Sequence, residues 1–151
     1  MDNNVLASAH GLQQLEKMVD LKCKVDFNQG LDSRLVTDEI AGLLSKIRWI
    51  RFIRFACDTM QAVEPLLSAI GKLNGYGVKN YRIFVYLLVK DVPEANERCK
   101  ILKRLGVIPF AQTYCDFESD IRPTPEQKHF AWYVNQKAVF KSTEWEEYKA
   151  R

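Results

Sequence analysis

Apolar residues follow two alternating rhythms along this chain. Where they recur three and four positions apart they predict helices, and short β-branched and aromatic runs predict strands. Leu12, Leu15, Met18 and Val19 mark a first amphipathic helix, and Lys24 to Asn28 a short strand. Thr37 is placed to cap a second helix, whose stripe is Ile40, Leu43, Leu44 and Ile47. Trp49 to Ala56 predicts a second strand. Met60, Val63, Leu66, Leu67, Ile70 and Leu73 form a third helical stripe, stopped by Asn74 and Gly75. Arg82 to Val89 is the clearest strand. Asp91 and Pro93 open a fourth helix, which carries Ala95, Cys99, Leu102 and Leu105 and ends at Gly106. Val107 to Thr113 predicts a fourth strand. The alternation then stops. Thr124, Pro125 and Gln127 form a cap, an N1 proline and a capping-box partner for a helix through Phe130 and Val134. A second such box, Thr143 to Glu146, predicts a last short helix.

Strands alternating with helices predict an α/β fold with a parallel sheet and right-handed crossovers. A closed eight-stranded barrel takes about 250 residues, and this chain has 151. The expectation is therefore a partial (β/α) barrel or an open parallel sheet of about four strands. Its helices lie on the outer face and a helical tail follows. The whole chain, 1–151, reads as one domain, with β/α units over 1–114 and the tail over 115–151.

Composition narrows the functional classes. Hydrophobic residues at 47% and charged residues at 27% suit an ordinary folded domain rather than a disordered one. Lys plus Arg exceeds Asp plus Glu by 22 to 19, an excess of +3 that does not by itself argue for nucleic acid. The longest apolar run, Ile83 to Val89, is far short of a membrane span, and no basic leader opens the chain. A cytoplasmic protein with no membrane partner is expected. Cys23, Cys57, Cys99 and Cys115 are far apart and form no CxxC group, so they read as small buried hydrophobes.

No GxGxxG, GxxxxGK[ST] or GxSxG occurs, and neither His10 nor His129 lies near a nucleophile in sequence. The strand ends carry more chemistry, because parallel α/β folds bind ligands at their carboxyl edge. Asn28, Gln29, Gly30, Leu31 and Asp32 follow the first strand, and Thr37 already caps the next helix. This turn is the best ligand-contact candidate. Asp58 and Thr59 follow the second strand, with a helix N-cap as the alternative reading. Gln112, Thr113 and Tyr114 end the fourth. Alternation puts Arg54 on one face of the second strand with Phe52 and Asp58, and Tyr86 with Phe84 on one face of the third. A face of aromatics and arginine suits a barrel lumen or a cleft, although an arginine tied in an interior salt bridge fits equally well. Arg48, Arg51 and Arg54 stand beside Trp49, Phe52 and Phe55, but a spacing of three divides them between both strand faces. Nucleic-acid binding by that triplet is not expected.

The segments VDFNQGLDSRL (Val25 to Leu35) and FIRFACDT (Phe52 to Thr59), with Asp2-Asn3-Asn4 ahead of the first helix, resemble the middle and end of a radical S-adenosylmethionine (SAM) barrel. The tail WYVNQKAVFKSTEWEEY (Trp132 to Tyr148) is similar to the C-terminal end of an uncharacterised branch of that superfamily. The resemblance implies a barrel of which the four strands here are the third to sixth. It implies SAM contacts from Asn28, Gln29, Asp58, Gln112 and Tyr114, with Arg54 and Tyr86 in the lumen. The family's CxxxCxxC cluster motif is absent from this chain, so a [4Fe–4S] cluster belongs to a full-length protein and is not expected here.

The resulting expectation is a fragment or truncated form of a radical SAM enzyme, not catalytic on its own, with SAM binding weakened. The alternative is a non-enzymatic α/β interaction or regulatory module on the same scaffold. A small complete enzyme of unrelated chemistry fits less well, since no nucleophile, metal or phosphate motif is present. An unfinished sheet also exposes an edge and a lumen face, for which a homodimer is the expected cover and the tail after Cys115, with Phe130, Trp132, Tyr133 and Trp145, the alternative.

Overall fold

The computed structural model describes residues 4–149. The fold is α/β, with a pair of parallel strands and a triplet of parallel strands flanked by helices, and a helical tail. Helix α1 spans Gly11–Asp20 and strand β1 Lys24–Val25. Helix α2 (Asp38–Lys46) leads to β2 (Arg48–Trp49) and β3 (Ile53–Ala56). Helix α3 (Val63–Gly75) leads to β4 (Ile83–Val89), and α4 (Val92–Leu105) to β5 (Ile108–Thr113). The tail holds α5 (Pro125–Asn135), α6 (Lys137–Ser142) and α7 (Trp145–Lys149).

Strand order follows chain order. β1 pairs with β2, and β3 with β4 with β5, all parallel. The two sets are joined at Leu31, whose N–H donates to the Arg54 carbonyl at 2.7 Å and which bridges Phe55. The chain from β1 to Leu31 is therefore the first strand of one line.

Two strands are shorter than the apolar runs suggest. The second run breaks at residues 50–52 into β2 and β3, the first ending at Trp49, which is paired with Val25. Its indole N–H donates to the Leu44 carbonyl at 2.8 Å and its ring stands edge-on to Phe27. The first run pairs only at Lys24–Val25, and the chain then bends so that Gly30 lies on β3. A Cβ at Gly30 would come within 2.8 Å of the Ala56 nitrogen, which leaves no room for a side chain.

Local signals hold at the helix ends. Thr37 Oγ1 accepts from Ile40 N–H, Asp91 Oδ1 from Glu94 N–H, and Thr124 forms its box with Gln127. Gly106 closes α4 at φ +71. The left-handed turn after α3 falls on Gly77 rather than Gly75. Helix α7 begins at Trp145, and Thr143 is buried beside it rather than boxed with Glu146.

Strand β4 shows how the layers form. Ile83, Val85, Leu87 and Val89 are buried, while Phe84, Tyr86 and Leu88 are half-buried. The buried set joins Ile53, Phe55 and the stripes Leu66, Ile70 and Leu73 of α3 and Ala95, Cys99 and Leu102 of α4 in one core. Right-handed crossovers between consecutive neighbours put these helices on one face. The other face presents Phe52, Phe84, Tyr86 and Phe110 in mutual ring contact, with Phe110 37% exposed. The tail packs along β5 and α4 instead. The Asn135 side chain bonds β5 at Ala111, and Gln127 Nε2 donates to the Lys90 carbonyl.

Candidate functional site

The carboxyl ends of the strands form a polar rim, in which two turns face one cleft. The first is Asn28 to Arg34. Here Asp32 caps a short 3-10 turn, Ser33–Leu35, by accepting from Arg34 N–H at 3.0 Å. The Arg34 guanidinium also forks onto the same carboxylate, at 2.9 and 2.6 Å. Those bonds hold the Asp32 carboxyl below its ordinary value. Asp32 and Arg34 thus satisfy each other.

The second turn carries Asp58. One carboxylate oxygen accepts from Leu88 N–H at 3.1 Å, continuing the β3–β4 ladder past the end of β3. Asp58 is exposed, and its other oxygen accepts no bond from the described residues. This aspartate does not cap a helix; the 3-10 turn Met60–Ala62 that follows has Thr59 at its cap position. Between the two turns lies a cleft of about 380 Å³ lined by Asp32, Arg34, Ala56, Asp58, Thr59 and Gln61.

The other sequence candidates are spread along the rim. Asn28 is exposed, and its carbonyl accepts from the Tyr86 hydroxyl at 2.8 Å. Gln29 turns to a separate cleft at the outer edge of the first strand, beside Val5, Met18 and Phe27. Gln112 is exposed on the open face, in register with Leu88 and so level with the Asp58 bond. Tyr114 lies farther round, with the Lys90 ammonium 5.1 Å from its ring centre. Gln112 and Tyr114 do not line the Asp58 cleft.

On the open face, Arg54 pairs with Asp26, donates to the Phe27 carbonyl at 3.0 Å and lies over the Phe84 ring. It ties the first strand to the sheet. Tyr86 stands edge-on between Phe84 and Phe110.

Sequence reasoning missed Arg98. This side chain is 1% exposed beneath the rim and donates to the carbonyls of Cys57 and Leu88. It thereby joins the ends of β3 and β4 from the helix side, at Cys57, next to Asp58, and at Leu88, whose N–H Asp58 accepts. Glu94 accompanies it at 3.8 Å and accepts from Met60 N–H. The available signal was a charged residue beside Cys99 and Leu102 on the apolar stripe of α4. Buried arginines persist only when paired and bonded.

The cysteines do not converge. Cys57 and Cys99 are buried in the core, where desolvation pushes their thiols up to about 11 and about 12. Cys23 is exposed ahead of β1 and Cys115 half-buried after β5. Among the described residues no three His, Cys, Asp or Glu side chains are grouped to hold a metal ion.

No family model matches the chain, and comparison with curated proteins and with solved structures returns no match.

Proposed function

We propose that this chain is the C-terminal half of a radical SAM-type barrel, not catalytic on its own, whose strand-end rim is a partial site for SAM. The observation that supports the reading is the line of parallel strands in chain order, with helices on one face and an aromatic face left open. A closed β/α barrel is built from that unit, with its ligand at the carboxyl rim. The rim also suits a cation. Asp58 has an unengaged carboxylate oxygen, and Arg34 is neutralised by Asp32.

The residues present fit part of SAM. Asp58 would take the ribose hydroxyls or the amino-acid ammonium, and the amides of Asn28 and Gln112 the remaining polar edges. The near-parallel Phe84 and Phe110 rings of the open face offer an apolar surface for adenine. When bound, SAM supplies a sulfonium carbon–sulfur bond for reductive cleavage. An iron–sulfur cluster does not fit these residues: two of the four thiols are shut in the core and the others stand at opposite ends of the sheet. No step is therefore assigned to this chain. The same burial favours a second reading, in which the scaffold serves as a non-enzymatic interaction module. In either reading the open face requires a cover, and a second copy supplies one without further sequence.

The test is a titration followed by amide NMR. Millimolar SAM should move the resonances of Asn28 to Asp32, Asp58 and Gln112. S-adenosylhomocysteine, which lacks the sulfonium charge, should move them less, and Asp58→Asn should abolish the difference. Unmoved rim resonances would reject the site and leave the interaction-module reading.

A further inference from the structure

The opposite edge of the sheet, where the strands begin, carries a different surface. The loops entering β2, β3 and β4 place Arg48, Arg51, Lys79 and Arg82 there, all exposed. Register confirms the grouping, because Ile53 pairs with Ile83 and so sets the residues before β3 beside those before β4. Among the described residues none of these four cations has a carboxylate within salt-bridge distance. Helix polarity accounts for other cations on this side. Lys46, Lys72, Lys103 and Arg104 sit in the last turns of α2, α3 and α4, where they offset the helix C-terminal dipole. The four cations of this edge lie outside those last turns, and of them Arg51 rests over the Phe52 ring, 5.4 Å from its centroid.

Large exposed side chains stand among them. Tyr81 is 66% exposed, Ile50 60% and Tyr76 49%. Tyr76, Tyr81, Lys79, Arg82 and Trp49 line a cleft of about 310 Å³ floored by Leu44 and Ile53. Unpaired cations beside exposed rings and a slot between them suit a flexible polyanion with flat faces. Phosphates meet the cations, and unstacked bases meet the rings. Among the described residues neither a helix nor a two-stranded ribbon projects from this edge, so a duplex groove is not matched. The triplet Arg48, Arg51 and Arg54 is not the set that matters. Arg54 is spent on Asp26, and Lys79 and Arg82 arrive from the next loop.

We propose that the strand-start edge binds single-stranded nucleic acid, with Arg48, Arg51, Lys79 and Arg82 on phosphates and Tyr76 and Tyr81 stacked on bases. This surface is independent of the strand-end rim. The exposed apolar groups favour it over an anionic membrane, since they are two hydroxyl-bearing rings and one isoleucine rather than a continuous apolar face.

Fluorescence anisotropy of labelled oligouridylate, with the whole chain, tests this. Four neutralised phosphates predict a loss of affinity of about fifty-fold between about 50 and 200 mM salt. Arg51→Glu with Lys79→Glu should abolish binding, and Tyr81→Ala should weaken it about tenfold at any salt. These positions are exposed, so unchanged circular dichroism will certify the fold. Absence of binding at low salt overturns the proposal, as does binding indifferent to these substitutions. Equal affinity for duplex DNA overturns the stacking role. Binding to phosphatidylserine vesicles but not to the oligonucleotide overturns the proposal in favour of a membrane surface.

Discussion

The side-chain amide of Asn135 bonds both backbone groups of Ala111, accepting from its N–H at 2.8 Å and donating to its carbonyl at 3.0 Å. One side chain thus stands in for a neighbouring strand on the free edge of β5. The outward backbone position two residues earlier is Pro109, which has no N–H to offer. Between them the proline and the asparagine blunt an edge that would otherwise recruit another strand. The tail therefore closes this edge without covering the aromatic face.

Asn135→Ala should destabilise the chain by about 1–3 kcal/mol, because Ala111 is buried and both its backbone groups would lose their partner. Asn135→Asp keeps the acceptor but sets a carboxylate against a carbonyl, and should cost at least as much. Urea denaturation measures both. A change within error for the alanine variant would show that water replaces the amide freely.

Arg98→Met should cost about 2–4 kcal/mol, from two charge-assisted bonds to the Cys57 and Leu88 carbonyls. The Leu88 amide bonded to Asp58 should then exchange faster with solvent, since the joint between β3 and β4 loosens. Arg98→Lys should recover part of the stability. Hydrogen exchange at Leu88 that is no faster in Arg98→Met would remove the link between the buried arginine and the rim.

Stability should fall in alkali. Desolvation raises the Cys57, Cys99 and Tyr133 side chains above their ordinary values of 9.0, 9.0 and 10.0. The unfolded chain then releases these protons at a pH where the folded chain keeps them, so the native state binds more protons and stability drops as pH rises. Below about pH 8.5 the effect vanishes; above it each thiol steepens the fall by about 1.4 kcal/mol per pH unit. Urea midpoints from pH 7 to 10.5 should show the decline, and Cys99→Ala should make it shallower. An identical slope in that variant would refute the assignment.

The open face predicts assembly. Parallel sheets are ordinarily covered on both sides, and Phe84, Tyr86 and Phe110 here are only partly shielded. Size-exclusion chromatography with light scattering should give a dimer mass at micromolar concentration. Phe110→Asp should return a monomer that melts no lower than the monomeric parent chain. A monomer for the unaltered chain would reject the second copy as the cover.

The sequence by itself determined whatever one turn of backbone decides. Thr37, Asp91 and Thr124 cap helices through bonds within three residues, and Gly106 ends α4 because a left-handed residue is needed there. The two faces of β4 were legible because side chains alternate strictly along a strand. The α/β class and the outer helix layer were also legible, since crossovers between parallel strands have one hand, whereas the strand order came from the fold. Tertiary structure decided the partners. Arg54 could line a lumen or lie in a salt bridge until the fold placed Asp26 beside it, across 28 positions of chain. Arg98 reads as a misplaced charge on an apolar stripe until the Cys57 carbonyl arrives, 41 positions away. Trp49 at the end of β2 finds the Leu44 carbonyl for its indole, and Asn135 becomes an edge guard only when α5 docks on β5. Local capping energy is written in adjacent residues. The choice among distant polar partners depends on which groups burial leaves unsatisfied, and that is set only when the whole chain has packed.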